Sequence, residues 1–467
     1  MSALRRLFVL ASLAATSSAF AVDIPPTVIL GGGSDSNNYT LTANGQVQGN
    51  GTFTGTFDTQ THDLSVNTLT GNMIFNGVIS GSASSPLPNL TVLAGNHTVE
   101  LNAANTFTGD VLLESGTIKL GNATALGSGS GEFRTTLATA TLDLNGQTIA
   151  SENAGIQAST TFTNTSATAA SWGGNISISA SNLTFNTSAG EIAVSGAISG
   201  GGVIKSGSGV LALSGNNSGL TGAWDLTAGT LKFGNSHAAG VGVLVNGNST
   251  TVDLNGQAMA PANIQVGAQG VTISNTSGTA ASWGGNITTN AGPLLTLNAS
   301  GANLTINGAI TQSGGTTSLF IDGTHTTILA SASNSFTGNV TIDDGAFLEL
   351  AEGSRMDFLI GGDGVNNHIG GAGEAAINGQ FIFDLSGAST TIGDEWAIVD
   401  AAAYSFGGNF SILGFTKDGL NWQRNNFGTL YNFSETTGVL AVVPEPSTIL
   451  LSAAGGLGLL LLRRRRA

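Results

Sequence analysis

A pattern that returns every 110 to 116 residues constrains this chain more than any other feature, because a repeated unit must bury its apolar face against its own copies. Gly109, Gly222 and Gly338 stand 113 and 116 residues apart, and Gly116, Gly229 and Gly345 keep the same offsets. Asn105-Thr106-Phe107-Thr108-Gly109 returns as Asn334-Ser335-Phe336-Thr337-Gly338. Ser115-Gly116-Thr117-Ile118-Lys119-Leu120 returns as Ala228-Gly229-Thr230-Leu231-Lys232-Phe233. Asp143-Leu144-Asn145-Gly146-Gln147 returns as Asp253-Leu254-Asn255-Gly256-Gln257, and Ala170-Ser171-Trp172-Gly173-Gly174 as Ala281-Ser282-Trp283-Gly284-Gly285.

Within one period the texture is that of short strands. Thr117-Ile118-Lys119-Leu120 alternates polar and apolar residues, which puts Ile118 and Leu120 on one face and Lys119 on the other. Gly, Asn and Ser punctuate every few residues, as tight corners with positive φ require. No long stretch shows helical periodicity. Short strands, regular corners and internal repetition predict an all-β solenoid, a parallel β-helix in which each rung bonds to the next about 4.8 Å away. At roughly 20 to 29 residues per rung, Thr40 to Leu350 would give about 11 to 15 rungs. The competing arrangement is an array of β-sandwiches, which usually carry longer strands and a Trp-centred core. Trp172 and Trp283 each precede Gly-Gly and are expected at corners, where they either cap the turn or present a ring to sugars.

The stretch Val194 to Asn235 carries a resemblance. Gly196-Ala197-Ile198-Ser199-Gly200, Val203-Ile204-Lys205-Ser206-Gly207-Ser208-Gly209, Leu211-Ala212-Leu213-Ser214-Gly215-Asn216-Asn217 and Ala228-Gly229-Thr230-Leu231 resemble the autotransporter-associated β-strand repeat. That resemblance implies a surface-exposed, right-handed β-helix like an autotransporter passenger. Ser218-Gly219-Leu220 departs from the pattern, which has an aromatic residue there; Phe107 and Phe336 supply it in the flanking copies. A true autotransporter is not expected, because the C-terminal part lacks the run of alternating amphipathic strands that a membrane barrel needs.

The two ends read as processing segments. Residues 1–21 have a secretory pattern: Arg5 and Arg6, an apolar run from Leu7 to Ala15, and the small residues Ala19 and Ala21 at the expected cleavage positions for signal peptidase. There is no cysteine, so an exported chain must rely on backbone hydrogen bonds and apolar packing rather than disulfides. Residues 22–350 form the repeat region, with atypical first rungs up to about residue 100 acting as a cap. Residues 351–442 read as a C-terminal β segment, a cap or small domain. In 443–467, Pro444-Glu445-Pro446 precede an apolar run over 447–462 and then Arg463, Arg464, Arg465 and Arg466. Sixteen residues make a helix of about 24 Å, short for a single transmembrane span, with the arginines held on the cytoplasmic side. Box, short span and basic end are similar to the PEP-CTERM sorting signal. This resemblance implies a Gram-negative bacterium, an exosortase partner in the inner membrane, cleavage near the box, and delivery to the cell surface, outer membrane or exopolysaccharide matrix.

Composition excludes one class and weakens another. Of the 13 Lys and Arg, six lie in the terminal segments, leaving seven against 28 Asp and Glu, a balance of −21. Nucleic-acid binding needs a basic patch that these residues cannot supply. A carbohydrate lyase or hydrolase on the same fold would need carboxylates converging on one face. The dense acidic spots are Asp343-Asp344, Asp363 and Asp394-Glu395, and the first and last read as turn residues. Gly361 to Asn367 faintly resembles one calcium-binding nonapeptide, but it does not recur in tandem. The histidines His62, His97, His237, His325 and His368 show no metal-ligating spacing. The expectation is a structural or adhesive surface protein with no catalytic residues, cofactor or metal, and a β-helical carbohydrate-active enzyme is the alternative.

Overall fold

A computed structural model describes residues 21–23 and 27–445 apart from 69, 83–87, 129–130, 137–139, 180–182, 268 and 291. They form strands and turns, with no helix among the described residues. The chain divides into two compact units, one running to Asp253 and the other starting at Leu254.

The first unit is a parallel β-solenoid in which residues about one turn apart in sequence lie side by side. One interior column runs Met73, Val99, Ile118, Leu142, Phe162, Phe185, Lys205, Leu226, Val245, each pairing with the next. Successive members are 19 to 26 residues apart, so one turn of the solenoid takes that much chain. Alternation does the sorting: Ile118 and Leu120 are buried, whereas Lys119 is about one-third exposed and lies 3.9 Å from Glu100. In the first described turns Tyr39, Phe53, Phe57 and Phe75 fill the interior, with Tyr39 stacked on Phe57 at 5.0 Å and Phe53 on Phe75 at 5.2 Å.

Two asparagine positions explain how the turns are tied. Asn145 and Gly146 have φ of 46° and 76°, the left-handed pair that an Asn-Gly corner adopts at little cost. The Gly146 N–H donates to Oδ1 of the buried Asn164 on the next turn, and Asn164 Nδ2 donates to Thr168 O and to Glu191 O one turn further. Asn164 therefore joins three successive turns.

The second unit repeats these devices. Val271, Leu295, Leu319, Val340, Ile369 and Val399 form a parallel interior column. Asn255 and Gly256 have φ of 48° and 78°, and the Gly256 N–H donates to Oδ1 of the buried Asn275. Parallel pairing continues past Leu350, through Leu350 beside Ile377 and Ile377 beside Phe406. A five-stranded antiparallel sheet follows, in the spatial order Glu395–Ala397, Val439–Val443, Thr429–Ser434, Asn421–Asn426, Thr416–Asp418. Its Phe433 meets Phe381, Phe383, Phe406 and Phe410 with ring centroids 5.7 to 6.3 Å apart, which closes this unit's parallel stack with an aromatic layer.

One sequence expectation is corrected here. Trp172 and Trp283 lie within strands Ala170–Trp172 and Ala281–Trp283, both completely buried. They are core residues, because the third residue of each strand points inward and the Gly-Gly pair that follows makes the turn.

Candidate functional site

The place where the folded sheet hands the chain to its C-terminal segment gathers the most functional information. Val439–Val443 is an inner strand: Leu440 and Val442 are buried, Leu430 pairs with Val443 on one side, and Glu395 pairs with Ala441 on the other. The Gly393 N–H donates to Val442 O at 3.0 Å, and the Val442 N–H to Asp394 O at 2.9 Å. Pairing stops at Val443 because Pro444 has no N–H to offer the ladder. Glu445 is held at the rim, its Oε1 accepting a hydrogen bond from Asn425 Nδ2 at 2.7 Å.

Of the residues expected to direct sorting, Pro444 and Glu445 thus stand at the end of a fixed strand. Pro446, the apolar run 447–462 with its expected transmembrane helix, and Arg463, Arg464, Arg465 and Arg466 lie outside the described residues. No helix among the described residues is long and apolar enough to cross a membrane. At the other end, Ala19 also falls outside the described residues, and Ala21 opens the strand Ala21–Asp23, which pairs in parallel with Asn38–Thr40.

The acidic spots sit in turns and loops. Asp343 and Asp344 lie exposed in a turn closed by the Ala346 N–H donating to Asp343 O, with Gly345 at φ 77°. Asp363 Oδ1 accepts the Glu395 N–H at 2.9 Å, and Asp394 lies in the turn leading to that strand. The loop 361–367 folds on itself through the Gly361 N–H donating to Val365 O. Among the described residues no three His, Asp or Glu gather in a metal-ligating group. His368 lies 3.8 Å from Asp400, and His237 and His325 are exposed.

Two charged side chains in the interior were not singled out from sequence. Lys205 is fully buried in the apolar column between Phe185 and Leu226, and its Nζ donates to Ser206 O, Gly207 O and Ala228 O at 3.0, 2.8 and 2.9 Å. Burial pushes its pKa down to about 8. Glu152 is 3 % exposed, and its Oε1 has no hydrogen-bond partner. Burial, with Asp110 and Glu132 nearby, pushes its carboxyl up to about 8. The signal for both was parity: Lys205 alternates in phase with Val203, and Glu152 in phase with the buried Ala154 and Ile156.

Residues 442–466 match the model of the PEP-CTERM protein-sorting motif, a match that begins on the last strand of the antiparallel sheet and covers the box, the apolar run and the arginines. No curated protein matches the chain. The motif marks an exported chain that an exosortase sorts through a membrane-anchored intermediate to the surface.

Proposed function

We propose that this protein is a structural or adhesive component of the cell surface or its exopolysaccharide matrix. Residues 447–462 hold it at the inner membrane until an exosortase cuts near Pro444-Glu445-Pro446. The observation that carries this reading is the junction: the sorting motif begins on an inner strand, so the folded sheet and the processing segment meet with almost no linker. The β-solenoid lends support, since stacked turns hold together through backbone hydrogen bonds and apolar packing without disulfides. Its sequence resemblance to autotransporter-associated β-strand repeats, with the right-handed sense that implies, points to the same kind of surface role.

We read the protein as non-catalytic, because the acidic residues that a carbohydrate-active enzyme would use are engaged in turns or stand apart. Incubating the purified ectodomain with neutral and acidic polysaccharides tests that rival: no product release is expected, and release would decide for the enzyme. Sorting is tested by intact mass and fractionation of the native chain beside a Pro444→Ala, Glu445→Ala, Pro446→Ala variant. The native protein is expected at the surface without Arg463 to Arg466, and the variant in the inner membrane with them. If both keep the arginines and stay in the inner membrane, the tail is an anchor only and the matrix role loses its support.

A further inference from the structure

The end of the antiparallel sheet from which residues 443–445 leave carries two exposed apolar side chains, one of them in a costly backbone conformation. The hairpin joining Asn421–Asn426 to Thr429–Ser434 turns on Phe427 and Gly428, whose φ values are 53° and 88°. Turns of this hand favour Asn or Gly at the first place, because a bulky residue in the left-handed region crowds its own backbone. Phe427 nevertheless occupies it and is fully exposed, so no packing among the described residues accounts for its ring. Outliers of this kind concentrate where a surface has a task.

On the other flank, Gly393 bonds to Val442, and the next residue outward, Ile392, is 62 % exposed. Val439–Val443 lies between these flanks in the strand order, and the pairing of Leu430 with Val443 sets Thr429 level with Pro444. Ile392 and Phe427 therefore stand at the same end of the sheet, on the order of 10 Å apart at about 4.8 Å per strand, with Pro444 and Glu445 leaving between them. Asn425, two residues before Phe427, binds Glu445 and ties the hairpin to the exit. Sixteen uncharged residues, 447–462, follow one residue later.

We propose that this rim rests on the lipid surface while the chain is anchored. Phe427 and Ile392 enter the headgroup boundary on either side of the point where the chain descends, which fixes the orientation of the sheet above the membrane. The inference rests on the anchored intermediate described above. Aromatic rings favour that depth of a bilayer, and the rim is continuous with the apolar segment. Glu395, Asp394 and Glu445 surround it, so the attraction is apolar and does not require anionic lipid.

The lack of cysteine permits a single label per molecule. Full-length chain bearing Phe427→Cys, Ile392→Cys or Leu420→Cys is labelled with an environment-sensitive fluorophore and reconstituted into phosphatidylcholine vesicles, with anchoring scored separately by flotation. Leu420 is 58 % exposed and precedes the opposite end of the strand Asn421–Asn426, which makes it the control. Labels at 427 and 392 are expected to shift to the blue and to be quenched several-fold more by headgroup-depth quenchers than the label at 420. Floating protein whose labels at 427 and 392 stay in water overturns the rim and leaves the anchor standing. A shift seen only in native inner-membrane vesicles, and not in phosphatidylcholine, replaces lipid with a protein partner and also overturns it. Failure of the chain to float removes the anchor and this inference together.

Discussion

Asn105, Asn217 and Asn334 show what the repeat preserves at the level of single residues. Each is buried and bridges two turns. Oδ1 accepts the N–H of Ile79, Ile198 or Ile310 from the preceding turn, and Nδ2 donates to the carbonyl of Ala125, Ala238 or Arg355 on the following one. Asn217→Ala leaves a buried N–H and a buried C=O unpaired, and at about 1 to 3 kcal/mol for each such group the loss is expected on the order of 2 to 6 kcal/mol, read from urea unfolding of the ectodomain. Asn217→Asp keeps the acceptor but turns a buried carboxylate oxygen toward the Ala238 carbonyl. At neutral pH it is therefore expected to lose at least as much as Asn217→Ala, and less at acid pH, where the protonated carboxyl can donate. Glu152 has a different signature. Its folded pKa of about 8 stands above the usual 4.5, so the native state keeps a proton that the unfolded chain releases between those values. The group's contribution is therefore fully present below about pH 4.5 and lost as pH rises through about 8. Glu152→Gln is expected to flatten the decline in stability between about pH 5 and 8. A smaller decline between about pH 4 and 6 should survive it, because burial also raises Asp63 to about 6. Unchanged pH dependence in the variant would place the proton elsewhere.

At the scale of strands and turns, period-two alternation with Asn-Gly corners was sufficient to read the parallel solenoid, since each interior column is made of residues that alternate in phase. The same rule, had it been applied to Lys205 and Glu152, would have marked them as inward-facing, but sequence gives no hint of the carbonyls that receive Lys205 or of the unpartnered Oε1 of Glu152. Trp172 and Trp283 were placed at corners because Gly-Gly follows them; a turn signal locates the end of a strand and says nothing about which way its last side chain points. Past Leu350 the sequence repeat fades while parallel pairing goes on, because a ladder needs apolar residues in phase and not identical ones. The box, apolar run and arginines were legible as a processing segment, but the rim around the exit was not, since Ile392 and Phe427 are 35 residues apart and meet only through the strand order. The hairpin offers its own measurement. Phe427→Asn restores the residue that this turn prefers and is expected to raise stability by about 1 kcal/mol. If it lowers stability, Phe427 has a packing role that its exposure conceals.

For the protein as a whole, charge decides which surface polymers it can approach. Seven Lys and Arg against 28 Asp and Glu leave the exported chain strongly negative, and the described basic side chains are already engaged: Lys119 with Glu100, Arg134 with Asp110, Lys232 with Asp253, Arg355 with Asp357, Lys417 with Glu435, and Lys205 inside the core. Arg424 is half-buried beside Gly414. An acidic polysaccharide would meet repulsion across the whole surface, whereas a neutral one would meet rows of Thr, Ser and Asn on the outward faces of the strands, which can hydrogen-bond to hydroxyls. Retention of the mature ectodomain on an immobilised neutral polysaccharide is therefore expected to exceed retention on a carboxylated one at 10 mM salt. Salt near 0.5 M should narrow the gap, because the Debye length falls from about 30 Å to well under 10 Å. Stronger binding to the acidic polymer at low salt would show that a local arrangement of groups overrides the net field, and the search for a ligand would move from the solenoid's polar faces to that arrangement.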